Sequence, residues 1–378
     1  MSNQPFRILI APLNWGLGHA TRCLPIAKAF EGQDANEQAI EVHWASDGQA
    51  LALLRTELPA DTCIHELPSY SIRYPTGSAS VNMVLGGPQM AAAIVQEAKA
   101  VAALHKQHNY SFILSDNRFG CRVDGVPSAI LTHQVHLPIR NWFSRKLGNL
   151  LNQRLLAKFD QVVVPDMSAL PRLAGSMSAP HPKVPTNYIG PVSRFSNHQT
   201  IALSTEIALA IVLSGPEPQR TKLEHKLLQQ LSSLDFVGQV TLVRGRPSSA
   251  PELDTVALEN IAQKGISLKV HDFLGTDGLL AVLAKADTLI TRPGYTSVMD
   301  LSVLGRKAIY IPTPGQPEQE WLGKSLETSY MGICIAQKNL VLAKALEEFK
   351  KLRPAEEIAQ LTGASLLEEW VAKVLGSV

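Results

Sequence analysis

The stretch Arg7-Ile-Leu-Ile-Ala-Pro-Leu-Asn-Trp-Gly-Leu-Gly-His-Ala-Thr-Arg22 decides the fold. Its apolar run, Ile8 to Ala11, reads as a buried first strand. Gly16-Leu17-Gly18 turns the chain, and from His19 and Thr21 a helical pattern runs through Leu24, Ile26, Ala27 and Phe30. A strand feeding a glycine turn at a helix N-terminus presents free N–H groups and the positive end of the helix dipole. Such a loop suits an anionic or sugar-phosphate ligand, with the His19 imidazole at its mouth. It is not a dinucleotide fingerprint. The sixth position of G-x-G-x-x-G is Thr21, and no acidic residue stands at a clean strand end about 20 positions on.

Outward from this unit the βα alternation continues. Strands are predicted at 6–11, 40–45, 62–67, 111–115, 127–131 and 161–164. A second set follows at 207–213, 239–243, 267–270, 287–290, 307–311 and 332–335. Most are rich in Val, Ile and Leu without alternation, the pattern of parallel strands covered on both faces. Helical patterns such as Met90 to His105 lie between them, so the fold class is doubly wound α/β. The alternation breaks across 175–205, a stretch rich in Pro, Ser, Asn and Gly, and a linker is expected near 191–204. Two Rossmann-like domains, 1–195 and 205–355, are predicted to face a central cleft, because open α/β sheets bind ligands at the carboxyl ends of their strands.

At 45% hydrophobic and 18% charged residues in a chain of 378, the composition is globular, and a net charge of +2 gives no basic field for nucleic acid. The cysteines, Cys23, Cys63, Cys121 and Cys334, form no C-x-x-C pair, which predicts neither a zinc site nor a disulfide framework. The N-terminus lacks an apolar signal-peptide core and no run approaches the length of a membrane span, so a cytoplasmic setting is expected.

The second half carries the sharper motif. In Asp287-Thr-Leu-Ile-Thr-Arg-Pro-Gly-Tyr-Thr-Ser-Val-Met-Asp300 a strand ends at Arg292, Pro293-Gly294 turn the chain, and Thr296 or Ser297 is placed to cap a new helix. Asp300, one turn further in, suits a ribose diol because two carboxylate oxygens accept from two vicinal hydroxyls. After the strand ending at Ile311, the proline-stiffened loop Pro312-Thr-Pro-Gly-Gln-Pro-Glu-Gln-Glu320 offers Gln316, Gln319 and Glu320 to sugar hydroxyls. In the first half, Ser115-Asp116-Asn117-Arg118 and Thr132-His133-Gln134 follow consecutive strands, and Asp116 could orient or deprotonate a hydroxyl. From Gly125 to Phe159 there is no acidic residue. Arg140, Arg145, Lys146, Arg154 and Lys158 stand there beside Trp142, Phe143, Leu147, Leu150 and Leu151. That composition suits an anionic membrane surface or a lipid-linked acceptor, whereas the mixing of charge with the apolar arc favours a packed helix pair.

These residues resemble the GT-B glycosyltransferases, most closely family 28, the group with the peptidoglycan N-acetylglucosaminyltransferase that makes lipid II. The match lies in Gly16-Leu17-Gly18-His19, in Arg292, Gly294, Ser297 and Asp300 of R-x-G-x-x-[ST]-x-x-[DE], and in Pro312 and Gln319. The resemblance implies transfer of a sugar from a nucleotide donor, foremost a UDP-sugar, to a glycan or lipid-linked acceptor. It implies a C-terminal helix, 356–378, crossing back to the first domain. By the same resemblance the donor would meet Ser214, Gly215, Arg244, Phe273, Arg292, Gly294, Thr296, Ser297, Asp300, Gln316, Gln319 and Glu320. The acceptor would meet Gly16, Gly18, Asn117, Arg118, His133 and Gln134. His19 is the expected base, with Asp116 in reserve. Asp-x-Asp, the metal signature of the other major transferase fold, is absent, so no cofactor and no essential cation are expected.

The chain departs from the family at three places. Ser214-Gly215-Pro216-Glu217 replaces a G-G-S-x-G loop, Asp300 a glutamate, and Gln319-Glu320 a glutamine pair, so N-acetylglucosamine does not carry over as the donor sugar. A UDP-sugar 2-epimerase and a non-catalytic sugar-nucleotide binder are the alternative readings.

Overall fold

A computed structural model of the chain describes residues 4–33, 38–70, 79–139, 141–196, 206–246, 253–329, 331–352 and 364–376. The chain divides into two compact units, Met1–Arg194 with Thr362–Val378, and Phe195–Leu361.

The first unit is built on one parallel sheet of β1 (Phe6–Pro12), β2 (Ile40–Ser46), β3 (Ile64–Glu66), β4 (Phe112–Asp116), β5 (Ser128–Leu131), β6 (Gln161–Val164) and β7 (Thr186–Tyr188). Their order in the sheet is β3-β2-β1-β4-β5-β6-β7. The helices α1 (Leu17–Glu31), α2 (Gly48–Glu57), α3 (Ala79–His108) and α4 (Trp142–Leu156) connect them. The apolar run read from the sequence is β1 itself, and Ile8, Leu9, Ile10 and Ala11 are wholly buried. In β1–β4 register, Ala11 stands beside Ser115 and Pro12 beside Asp116. From β1 the chain winds to β2 on one side and returns to β4 on the other. The loops leaving β1 and β4 therefore diverge and open a crevice at the strands' carboxyl ends, the topological switch point of such a sheet.

The second unit repeats the design with β8 (Ile207–Val212), β9 (Gln239–Val243), β10 (Ser267–His271), β11 (Ala286–Thr291), β12 (Ala308–Tyr310) and β13 (Gly332–Cys334). Their order is β10-β9-β8-β11-β12-β13, again all parallel. The helices are α5 (Gln219–Ser233), α6 (Thr255–Gln263), α7 (Thr276–Lys285), α8 (Tyr295–Val303), α9 (Pro317–Thr328) and α10 (Leu342–Lys350). Its core of Leu209, Ile211, Leu227, Val240, Ile290 and Ile309 comes from the uninterrupted Val/Ile/Leu runs. Its switch point lies between β8 and β11, which pair directly.

The last helix, α11 (Ala364–Gly376), belongs to the first unit and packs on α1 and β7. Trp370 anchors it. Its ring meets Phe30 edge-on at 5.6 Å and Phe112 at 6.2 Å, and its Nε1 donates to Gln161 Oε1 at 3.0 Å.

Two expectations need correction. No strand is predicted between 164 and 207, yet that stretch contains β7, a half-buried edge strand of three residues. A run so short, hemmed by Pro185 and a polar Asn187, carries no apolar signal. The basic segment is not a packed helix pair either. It forms one helix, α4, capped by Asn141 accepting from Ser144 N–H at 3.0 Å, whose buried face is Gly148, Asn152 and Leu156. Trp142, Phe143, Leu147, Leu150 and Leu151 are exposed. Arg140 lies outside the described residues.

Candidate active site

At the first switch point, β1 delivers the loop Leu13 to Gly16 into α1. Gly16 is the helix N-cap at φ +100°, a conformation L side chains rarely adopt, with open space where a Cβ would stand. Gly18 lies in the first turn and His19 immediately after it. His19 Nδ1 lies 3.0 Å from Asp116 Oδ1 at the end of β4, and the imidazole is only partly exposed. Arg22, one turn on, donates its Nε to Asp116 Oδ2 at 2.7 Å and its terminal nitrogen to Oδ1. Its Nη2 also lies 2.9 Å from His19 Nδ1.

Asp116 has no solvent exposure. Burial alone would raise its pKa, but Arg22 and then His19 outweigh that and hold the carboxyl well below the usual carboxylate range. Asp116 is thus a fixed anion, and this corrects its reading as a reserve base. Its carboxylate is placed to hold the His19 ring. In the tautomer that carries its proton on Nδ1, the carboxylate accepts that N–H and Nε2 keeps its lone pair, and a proton taken there leaves an imidazolium beside a negative charge. Arg22 was not anticipated. Its i,i+3 spacing from His19 on one helix face was the available signal.

Around this dyad the expected acceptor contacts separate. Asn117 is half-buried at φ +57°, in the left-handed region that asparagine tolerates. Gln134 is half-buried, its N–H bonded to Thr132 Oγ1 at 3.0 Å and its carbonyl accepting from Asn152. His133 is buried at 3% exposure, so it presents little surface to a ligand. Arg118 is no ligand contact. It is wholly buried, donating to Glu97 at 2.5 Å, to Asp47 at 2.5 Å and to Pro68 O at 2.9 Å. Two carboxylates consume its charge. Glu97 also accepts from Tyr70 OH at 2.6 Å and Gly120 N–H at 2.8 Å, which ties α3 to the loop after β4.

In the second unit, α8 starts at Tyr295 with Gly294 as N-cap, so neither Thr296 nor Ser297 caps it. Both lie in its first turn, half-buried. Asp300 follows on the same face, four residues after Thr296 and three after Ser297, and is 5% exposed. Across the switch point the β8–α5 turn presents Ser214 and exposed Gly215, the latter at φ +98°. A Cβ at Gly215 would stand 3.4 Å from Thr313 Oγ1, a buried hydroxyl with no hydrogen-bond partner. Thr313 was missed by sequence reasoning, which read its loop for amides and acids. Phe273, after β10, is half-buried, as are Gln316 and Glu320.

Three donor expectations are corrected. Arg292 does not present its charge to a phosphate, because it is fully buried. Its Nη1 donates to Ile311 O and Pro312 O at 2.9 and 3.0 Å, and its Nη2 to Gln219 O and Gln337 Oε1 at 2.9 and 2.8 Å. Burial pulls its guanidinium down to about 10, still cationic at neutral pH. Arg244 is taken up by both oxygens of Glu224, at 2.8 and 2.9 Å, and by Asp272 at 2.9 Å. Gln319 is 8% exposed and its Oε1 accepts from Thr313 N–H at 2.8 Å, so its acceptor closes the loop instead of facing a sugar.

Comparison with known proteins adds the following. Residues 220–368 match the Glycosyltransferase family 28 C-terminal domain. The chain is similar to an uncharacterized glycosyltransferase of Methanopyrus kandleri, at 19% identity over 87% of this chain and 91% of the relative. A shorter stretch, 23% of this chain and 24% of the relative, is 28% identical to the UDP-N-acetylglucosamine–N-acetylmuramyl-(pentapeptide) pyrophosphoryl-undecaprenol N-acetylglucosamine transferase of Cutibacterium acnes. Among solved structures, the UDP-glucosyltransferase from Polygonum tinctorium superposes at TM-score 0.66 and 15% identity, with both chains fully covered.

The geometry predicts that Arg292→Met destabilises the second unit by about 2–4 kcal/mol, because two or more buried carbonyls lose their donors. Urea titration followed by far-UV dichroism measures this. Unchanged stability with a loss confined to nucleotide affinity would return Arg292 to anion binding.

Proposed function

We propose that this protein, a GT-B glycosyltransferase with a family 28 C-terminal domain, transfers a sugar from a UDP-sugar to an acceptor hydroxyl deprotonated by His19. The observation that carries the reading is the His19–Asp116 pair at the switch point of the first sheet. The uridine diphosphate donor is supported by the names of the relatives, two of which use UDP-sugars.

In the reaction, His19 Nε2 takes the acceptor's proton while the acceptor oxygen bonds to the anomeric carbon. The bond from that carbon to the diphosphate breaks, and its electron pair leaves with the diphosphate. Asp116 holds the imidazolium formed. With Arg292 and Arg244 engaged internally, the leaving charge falls to the N–H groups opening α8, at Tyr295, Thr296 and Ser297. Asp300, on the same helix face, accepts from the ribose diol. No catalytic cation enters this scheme.

The acceptor is lipid-linked in this reading, and α4 is its docking face. Trp142 and Phe143 are 65% and 70% exposed, and Lys146 Nζ lies 5.7 Å from the Trp142 ring centroid. Exposed Arg145 and Arg154 flank the exposed leucines. A large apolar face fringed by cations fits an anionic membrane surface. The name of the Cutibacterium acnes relative, which includes an undecaprenol acceptor, supports this. Among the described residues no helix is long and apolar enough to cross a membrane, so contact would be peripheral.

Four outcomes test the proposal. His19→Ala lowers turnover about 10²–10⁴-fold with little change in melting temperature. Asp116→Asn lowers turnover and also costs about 3–5 kcal/mol of stability, since Arg22 is left without its anion. Wild-type turnover in His19→Ala protein would sink the mechanism. Asp300→Ala weakens UDP binding in calorimetry, each lost charge-assisted bond being worth about 1.5–3 kcal/mol. Equal dissociation constants would make Asp300 a plain helix residue. Finally, the protein co-sediments with anionic but not neutral vesicles, and salt reverses this, each basic residue contributing about 1 kcal/mol. Arg145→Glu with Lys146→Glu abolishes it. If the wild-type protein ignores anionic vesicles at low salt, the acceptor is soluble.

A further inference from the structure

Away from the reaction site, four metal-ligating side chains converge in the first unit. His43 comes from β2, His65 from β3, Cys63 from the residue entering β3, and His108 from the last position of α3. One ligand atom from each lies within 4.8 Å of all the others. The sheet produces this meeting. Trp44 N–H bonds Cys63 O at 2.9 Å, and Ala45 pairs with His65, so the two strands run side by side here. Period-two alternation puts Cys63 and His65 on one face. His43 shares a face with Ala45, which packs with Val101 of α3 and with Tyr110. The linear spacing of the cysteines, which predicts no metal site, cannot register a cluster assembled from three elements.

We propose that His43, Cys63, His65 and His108 form a structural site for one divalent transition-metal ion of the zinc type. Three imidazoles and a thiolate are a zinc donor set. With metal–nitrogen bonds of about 2.0–2.1 Å and a metal–sulfur bond of about 2.3 Å, ligand atoms around a tetrahedral ion stand about 3.3–3.8 Å apart. Cys63 Sγ already lies 3.4 Å from His65 Nε2, so small side-chain adjustments complete the set. One imidazole is oriented from outside. Glu41 Oε2 lies 3.9 Å from His43 Nε2 and is itself held by Arg7 Nε at 2.6 Å, leaving His43 Nδ1 for the ion. Tyr110 OH lies 3.3 Å from that Nδ1 and 3.2 Å from His65 Nε2, bridging the two nitrogens that would ligate, and it yields this contact when the ion binds.

Four protein ligands leave no open position for substrate, which marks a structural and not a catalytic ion. Its place agrees. His43 precedes the carboxyl end of β2 by three residues, about 10 Å of strand, and α3 ends where β4 begins. The site therefore lies toward the amino ends of the strands, opposite His19 and Asp116. The ion would staple the short edge strand β3 and the end of α3 to β2.

The test uses the untagged full-length chain, stripped with a chelator and reloaded. Elemental analysis finds one zinc per chain after dialysis. Cobalt(II) gives the intense visible bands of a tetrahedral ion and a near-ultraviolet thiolate charge-transfer band. Cys63→Ser removes the charge-transfer band, and added zinc raises the melting temperature of wild-type protein but not of the Cys63→Ser, His108→Ala double variant. Tyr110→Phe keeps the cobalt spectrum, because the phenol yields its contacts to the ion and does not ligate. If wild-type protein retains no stoichiometric zinc, or binds cobalt with a weak octahedral spectrum that Cys63→Ser leaves unchanged, the proposal is overturned and the four side chains are a hydrogen-bonded core around Tyr110.

Discussion

The constraint on which the first unit depends is a carboxylate buried at a strand end. Asp116 is fully inaccessible and ionised, and an isolated charge in that position would cost several kcal/mol in lost hydration. Arg22 and His19 compensate it, and both come from α1. That fixes the rotation and height of α1 against the sheet, because residues three apart must both reach one carboxylate. The rotation in turn needs the chain to leave β1 through Gly16 at φ +100°. The glycine is thus as much a condition for placing His19 as a feature of the loop. The chemistry proposed for His19 uses an orientation that folding has already paid for.

The same pairing of buried charge recurs after this strand and after others. Arg118 follows β4 and is neutralised by Glu97 and Asp47, while Arg244 follows β9 and is neutralised by Glu224 and Asp272. Arg292 follows β11 and donates to the carbonyls of the β12–α9 loop and of α5. Each guanidinium has a planar fan of donors that can join two or three backbone segments at once. Loops at the carboxyl edge of a parallel sheet have little regular structure to hold them, and these buried arginines do the holding. Reading them as ligand contacts from sequence mistakes the frame for the recognition surface.

That mistake shows what the sequence could convey. Strand positions were legible because parallel strands covered on both faces must be continuous apolar runs, and Ile8 to Ala11 or Ile207 to Val212 can hardly be anything else. β7 was not, because a half-buried edge strand of Thr186, Asn187 and Tyr188 needs no such run. His19 and Asp116 were legible as polar groups following strands. Their division of labour was not, since it depends on Arg22 and on burial. The exposed face of α4 was hidden for a related reason. Its cations and leucines alternate around the helix, and only the observed packing of Gly148, Asn152 and Leu156 shows which arc faces inward. The His43, Cys63, His65 and His108 cluster lies beyond any spacing rule, because its members are brought together by strand pairing and the end of a long helix.

Once the arginines are assigned to the frame, the second unit has a particular electrostatic character. Near the switch point between β8 and β11 stand the backbone N–H groups at the start of α8, the hydroxyls of Thr296, Ser297 and Thr313, and the exposed turn at Gly215. These are neutral donors backed by a helix dipole, a set that in the proposed reaction would select an anion by geometry more than by charge. Neutral donors in fixed positions do not release condensed counterions or retain a free carboxylate indiscriminately, as a flexible lysine would. In the proposed reaction they would hold a diphosphate through directed bonds that strengthen as charge gathers on the departing oxygen, and that is the condition for favouring the transition state over the bound donor.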